Sequence, residues 1–224
     1  MSTFVGIDLT SSSKKASAYA LLGADLRIRS LESLSTDSEI IAAIQRDRPT
    51  LVAIDAPLSL PQGLCCLNED CQCVPTSSEK GRLCERKLAR LGISSYFTTK
   101  RSIIKKMVYR AIDLRKGIAA CNFDLIEVYP YASKVMIWGK PIPKKTSARG
   151  LEYLKDHLTG IIHDLARNRA KLNHDLCDAI IAAYTAYLHY QGKTEPIGEQ
   201  SEGLIYIPRA AKVSFDKKWQ DAYI

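Results

Sequence analysis

The 224-residue chain has no run of about 18 apolar residues, which excludes a membrane-spanning helix. Its N-terminus, Met-Ser-Thr-Phe-Val-Gly-Ile-Asp, lacks the basic stretch, apolar stretch and cleavage site of an export signal, so a cytoplasmic location is expected. Neither G-x-x-x-x-G-K-[ST] nor G-x-G-x-x-G occurs, which removes the usual glycine-rich phosphate loops. There are only four histidines. His157, His163 and His189 show no ligand spacing with one another, and His174 reads first as an imidazole at a helix start. Internal repeats and low-complexity stretches are also missing. What remains is ordinary for a globular chain: 46% hydrophobic and 25% charged residues, enough for a normal core in one domain carrying a sizeable insertion.

Charge is unevenly placed. Lys and Arg number 32 against 24 Asp and Glu, a formal net charge of +8. Residues 80 to 116 hold twelve basic side chains and two acids, Glu85 and Asp113, so this segment supplies the whole excess. Clustered charge of this kind points to a polyanionic partner, DNA or RNA, with Lys100, Arg101, Lys105, Lys106 and Arg110 as candidate contacts. The competing reading is a solvated basic face.

Five of the seven cysteines, Cys65, Cys66, Cys71, Cys73 and Cys84, fall within twenty residues. In a cytosolic protein such a cluster leans toward structural Zn²⁺, although the spacing is not a clean pair of C-x-x-C knuckles. Disulfides and free thiols stay open as alternatives. Cys121 and Cys177 stand alone and read as small apolar core residues.

Hydrophobic patterning predicts an α/β chain. Phe4 to Leu9 reads as a buried strand, Ala16 to Leu22 as a second and Leu26 to Arg29 as a third, half-exposed one, which together suggest an antiparallel meander. Thr36 and Glu39 form a capping-box pair ahead of a helix with Ile40, Ile41 and Ile44 on its apolar face. Leu51 to Ile54 is a fourth strand and Asp124 to Val128 a fifth. Between them, residues 57–120 read as an inserted basic, cysteine-rich helical region. It holds one helix from Gly81 to Leu91 and a second capped by Ser102 and ended by Gly117. Helical segments are expected from Tyr131, from Ala148 and over Asn173–His189. In the last of these, Ala179, Ala182, Ala183 and Ala186 allow close approach to a sheet. Gly203 to Pro208 carries the pattern of a short final strand.

The chemistry lies in the acids. Asp8 ends the first strand, Asp55 the fourth and Glu127 the fifth, while Asp175 and Asp178 share one face of the last helix. An acid in an apolar strand costs free energy unless paired. If the three strands run parallel and adjacent, their C-terminal ends share the edge where open α/β sheets collect ligands. Converging carboxylates repel, and Mg²⁺ or Mn²⁺ with oxygen ligands resolves that repulsion. Two such ions about 4 Å apart clamp the attacking and leaving oxygens of a phosphoryl transfer. On this reading Asp8 bridges both ions and Asp55 or Glu127 holds one. Asp175 and Asp178 hold the other and orient the attacking water. Each acid also has a plainer reading: a turn or cap for Asp8, an Asx turn for Asp55, a pair with Lys134 for Glu127, and a helix-dipole partner for Asp175.

The motifs Gly6-Ile7-Asp8, Ile54-Asp55-Ala56-Pro57-Leu58-Ser59-Leu60-Pro61, Ile126-Glu127-Val128-Tyr129-Pro130 and His174-Asp175-x-x-Asp178-Ala179 together resemble domain-of-unknown-function family four-two-nine. That family is regarded as predicted nucleases with an RNase H-like fold. More distantly, the order of parts is similar to the RuvC Holliday-junction resolvases. Those carry a strand-one Asp, a strand-four acid and an acid pair on a late helix, but have Glu where this chain has Asp55 and lack the cysteine-bearing insertion. The resemblance spans about residues 3 to 61 and 124 to 208. It implies one RNase H-like domain over 1–224, with a five-stranded mixed sheet (three antiparallel strands, then parallel ones) flanked by helices. It also implies a metal-dependent nuclease. The alternatives are a non-catalytic nucleic-acid-binding protein of the same fold and a sugar-kinase or actin-like ATPase. The latter is disfavoured because Leu9-Thr10-Ser11-Ser12-Ser13 follows Asp8 in place of a glycine-rich loop.

Overall fold

The computed structural model describes residues 1–11, 15–143 and 147–210. Seven strands form one mixed sheet: β1 (Thr3–Asp8), β2 (Ser17–Gly23), β3 (Ile28–Leu34), β4 (Leu51–Asp55), β5 (Leu125–Val128), β6 (Thr194–Glu199) and β7 (Gly203–Pro208). Their order is β3-β2-β1-β4-β5-β7-β6. The β1-β2-β3 meander is antiparallel, β4, β5 and β7 follow parallel to β1, and β6 returns antiparallel on β7. The expected five-stranded sheet is therefore two strands short. β6 was hidden because its sequence, Thr-Glu-Pro-Ile-Gly-Glu, carries Pro and Gly, which are tolerated on an edge strand. β3 also starts later than expected, because Leu26 takes a left-handed turn conformation (φ 57°).

The helices are α1 (Asp37–Asp47), α2 (Leu83–Arg90), α3 (Lys105–Ala120), α4 (Pro130–Trp138), α5 (Ala148–Thr159) and α6 (His174–Tyr190). None of those described is long and apolar enough to cross a membrane. The Thr36–Glu39 capping box is formed at the start of α1. α3 differs from expectation: Ile104 is its N-cap, and the helix passes through Gly117 to Ala120. One glycine costs a helix only about 1 kcal/mol, and here the packing of Ala111, Leu114 and Ile118 outweighs it.

The sheet is covered on both faces, and strand parity decides what each residue meets. Val5, Ile7, Val52 and Ile54 point to the layer of α1 and α3. Phe4, Leu51, Ala53, Ile126 and Val128 point to α6, where Ala182 and Ala186 receive them. Gly6 shares that second face. A Cβ there would stand 2.0 Å from the Ala179 carbonyl oxygen and 2.2 Å from the Ala183 nitrogen. Glycine in β1 and alanines in α6 thus let helix backbone lie directly on strand backbone. α3 supplies Ala111, Leu114 and Ile118 to the core and so forms part of the covering layer.

Candidate active site

Asp8 and Asp55 are register partners at the C-terminal ends of neighbouring parallel strands. Register partners point the same way, and adjacent strands lie about 4.8 Å apart. Asp8 has the parity of Phe4 and Gly6, and Asp55 that of Leu51 and Ala53, so both face α6. Asp178 is buried on α6, one residue before the Ala179 that touches Gly6. The same close approach that requires glycine at position 6 therefore brings the Asp178 carboxylate toward the two strand-end acids.

Asp178 meets a cation from the chain itself: the Lys134 ammonium of α4 donates to its Oδ1 at 2.9 Å, with both side chains buried. These groups line a cleft of about 450 Å³ together with Asp55, Tyr96, Tyr129, Tyr131 and His174. Burial pushes the Tyr129 phenol up, and the negative charges of Asp55 and then Asp178 push it further, so it stays neutral. Its hydroxyl donates to the Ser94 carbonyl at 2.8 Å. Asp175, one turn before Asp178, forms an ion pair of 2.7 Å with Lys15.

Glu127 was expected among the catalytic acids, but parity places it elsewhere. It pairs with Ile54 and not with Asp55, and its neighbours Ile126 and Val128 are the residues that face α6. Its carboxylate points to the opposite side of the sheet. There the Arg82 guanidinium holds it in a two-pronged pair (2.6 and 2.8 Å), and the Leu58 amide donates to the same carboxylate at 2.8 Å. Arg82 is itself 1% exposed and donates through Nε to Glu85, which also accepts from the Thr98 amide and hydroxyl. Burial disfavours the Arg82 charge, but its carboxylate partners, Glu127 first and then Glu85, together more than offset it and the guanidinium remains ionised. This triad anchors the 57–104 segment to β5. The plainer alternative for Glu127, a pair with a lysine such as Lys134, is met in kind but by Arg82, since Lys134 pairs with Asp178 on the α6 side.

The basic candidates divide. Arg110 is a tether: its guanidinium donates to Asp37, to the Thr10 carbonyl and to Ser17, fixing α3 against the chain just after Asp8. It was expected to meet nucleic acid, but these partners hold it inward. Lys100 donates to the Cys71 carbonyl, and Lys105 and Arg101 each lie 3.4 Å from Glu69. Arg101 and Lys106 remain exposed to solvent.

The thiols also divide. Cys65, Cys66, Cys71 and Cys73 bring their sulfurs within 4.8 Å of one another, and among the described residues no set of acids forms an equally tight group. Cys84, expected with them, is fully buried in an apolar cluster with Leu88, Ile93 and Ile205. It lies on α2, whose apolar face packs on the β6–β7 side of the sheet. Burial pushes its thiol up to about 12.

Sequence reasoning missed two features of the cleft, the Lys134–Asp178 pair and the tyrosines, and the Arg82 anchor on the opposite face. Tyr129-Pro130-Tyr131 directly follows the β5 end, the position where ligands collect, and that placement was a usable signal. Arg82 gave none, since it is one of twelve basic residues in a charged run.

The model of a family described as protein of unknown function (DUF429) matches residues 6–203. A search of curated proteins returns no match. Among solved structures, RuvC from Thermus thermophilus superposes with a TM-score of 0.51 at 13% identity, covering 90% of this chain and 99% of that one. The likeness is one of fold: a mixed α/β architecture of the RNase H-like kind.

Proposed function

The chain belongs to the DUF429 family, and from that premise and the cleft we propose that it is a divalent-metal-dependent nuclease, hydrolysing phosphodiester bonds at the Asp8–Asp55–Asp178 edge of the sheet. The observation that carries this reading is the register pairing of Asp8 with Asp55 on the face that α6 covers, with Asp178 buried opposite. The RuvC-like fold supports it, since that protein is a relative by fold.

The donor set fits Mg²⁺ or Mn²⁺: three carboxylates on the α6 side of one sheet edge are hard oxygen ligands, and two of them, Asp55 and Asp178, already act together on Tyr129. Asp8, Asp55 and Asp178 would hold the ion or ions, with Asp175 beside them one turn away. A bound divalent ion supplies charge stabilisation to the phosphoryl oxygens and lowers the pKa of water. The chain's own groups do the rest. Lys134, donating to Asp178 Oδ1 at 2.9 Å, fixes that carboxylate in orientation. Tyr129, held neutral, walls the cleft and limits water. Tyr96, 63% exposed, and Tyr131 offer faces on which an unstacked base can rest, a sequence-tolerant contact. Nucleic acid, DNA or RNA, is the partner this arrangement suits.

The test is a cleavage screen over single-stranded, duplex, hybrid and branched substrates with Mg²⁺ or Mn²⁺, with Asp8→Asn alongside wild type. We expect cleavage to fall by at least about 100-fold in the variant while folding and substrate binding persist, because several kcal/mol of charge stabilisation is lost. Equal cleavage by both proteins would refute the assignment. The Lys134–Asp178 pair favours a second reading, a non-catalytic nucleic-acid-binding protein, because an acid already matched by a lysine needs no metal. Retention of nucleic acid without cleavage under every metal condition would decide for that reading.

A further inference from the structure

We propose that Cys65, Cys66, Cys71 and Cys73 form a four-thiolate Zn²⁺ site that locks the loop of residues 62–76 onto α3, and that Cys84 takes no part. This inference does not depend on nuclease activity. A tetrahedral zinc with Zn–S bonds of about 2.3 Å holds its sulfurs about 3.8 Å apart. Here the Cys65 and Cys71 sulfurs are 3.7 Å apart and all four lie within 4.8 Å, so one ion can reach each of them. All seven cysteines are free thiols.

The loop is shaped to present these sulfurs inward. Thr76 donates its amide to the Gln62 carbonyl at 2.8 Å, closing the loop at its base. Gly63 (φ 90°) allows that closure, since a Cβ there would stand 2.5 Å from the Val74 carbonyl oxygen. Cys71 donates its amide to Asn68 at 3.3 Å, a turn that carries the chain back from Cys66 toward Cys73. On the other side Leu67, fully buried, donates its amide to the Tyr109 hydroxyl of α3 at 2.6 Å. Three of the four thiols are half-buried and Cys65 is exposed, which leaves a path for the ion.

The charge balances. Four thiols bind Zn²⁺ as thiolates, releasing four protons and leaving a net charge of −2. The Lys100 ammonium donates to the Cys71 carbonyl beside the site and offsets part of that charge. Soft sulfur donors select zinc over the hard ions suited to the carboxylates, so the two metal sites would not compete. The consequence is positional: Glu69, within the loop, holds Lys105 and Arg101, so a locked loop also fixes where those cations stand.

The full chain, purified under reducing conditions without chelator, is expected to hold one zinc per chain, and cobalt should replace it with a tetrahedral thiolate spectrum. Cys71→Ser and Cys73→Ser should lose zinc to a competing chelator at least about tenfold more readily, whereas Cys84→Ala and Cys121→Ala keep one equivalent. If a ligand variant fails to fold, stripping and refilling the wild-type chain replaces it. Stripping should expose residues 61–76 to protease while the far-ultraviolet signal of the sheet persists, and refilling should restore protection. A folded, reduced wild-type chain with neither zinc nor a cobalt–thiolate spectrum overturns the proposal. So does a disulfide among these four, or zinc lost through Cys84→Ala and kept through Cys71→Ser.

Discussion

The two faces of the sheet treat buried acids in opposite ways. On the insertion side, Glu127 and Glu85 surround one arginine, with main-chain amides and a threonine taking further oxygens. On the α6 side, Asp8 and Asp55 sit in register with each other, and Asp178 meets one lysine. The first arrangement compensates each carboxylate with a short, rigid, fully enclosed partner. The second concentrates negative charge at an edge open to a cleft lined by Tyr96, Tyr129 and Tyr131. Acids of the same chemical type thus serve as anchor on one face and as candidate ligands on the other, and the difference lies in their partners and their access to solvent.

The largest effect expected from breaking this contrast is on the anchor. Arg82→Met leaves Glu127 and Glu85 enclosed without their cation, and removal of one partner from a buried ionic group costs about 3–5 kcal/mol. Urea denaturation should show that loss. Its absence would mean that the triad contributes nothing to holding the insertion. The same measurement on Asp8→Asn should show a smaller loss than Arg82→Met, because that substitution keeps size and shape and leaves no buried arginine site empty, even as its cleavage falls.

Next in size is the contact that assembles the α6 side. Gly6→Ala forces a methyl into space already filled by the Ala179 and Ala183 backbone, and overpacking of this kind costs about 1–3 kcal/mol or more. Helix and strand must then separate, so cleavage should fall further than the lost stability alone accounts for. A Gly6→Ala chain with wild-type stability and cleavage would show that Asp178 need not approach the strand ends so closely.

The smallest effect lies at the exposed start of α1, outside both groups of acids, and calibrates them. Main-chain hydrogen bonds from Thr36 and Ser35 hold the exposed Glu39 carboxyl below its ordinary value of 4.5. A depressed folded pKa gives stability that is present above the unfolded value and lost as pH falls through the folded one. The urea midpoints of wild type and Glu39→Gln should therefore differ at neutral pH and converge as the pH drops below about 4.5. A gap that widened in acid would contradict the capping box.

Much of this was readable locally. The capping box needs only Thr36 and Glu39 three residues apart, and it forms as its spacing requires. The small residues of α6 announced a close approach, and Gly6 is what they approach. The misreadings concern residues whose meaning depends on distant partners. Arg110 shares a charge run with Lys106, yet one is a tether to Thr10 and Asp37 and the other faces solvent. Cys84 shares a cluster with Cys73, yet it lies on a helix whose apolar face claims it.

By itself, then, the sequence determined the acids at the ends of the strands, the order of all elements but the edge strand β6, and the alanine face on which α6 meets the sheet, because each follows from spacing along the chain. Only the tertiary structure decided that Asp8 and Asp55 face α6 while Glu127 faces away. Side chains alternate along a strand, and a shift of one residue in the pairing of β5 with β4 exchanges the two faces. That register is set by contacts across the sheet and by Arg82, 45 residues before Glu127, which no local pattern encodes.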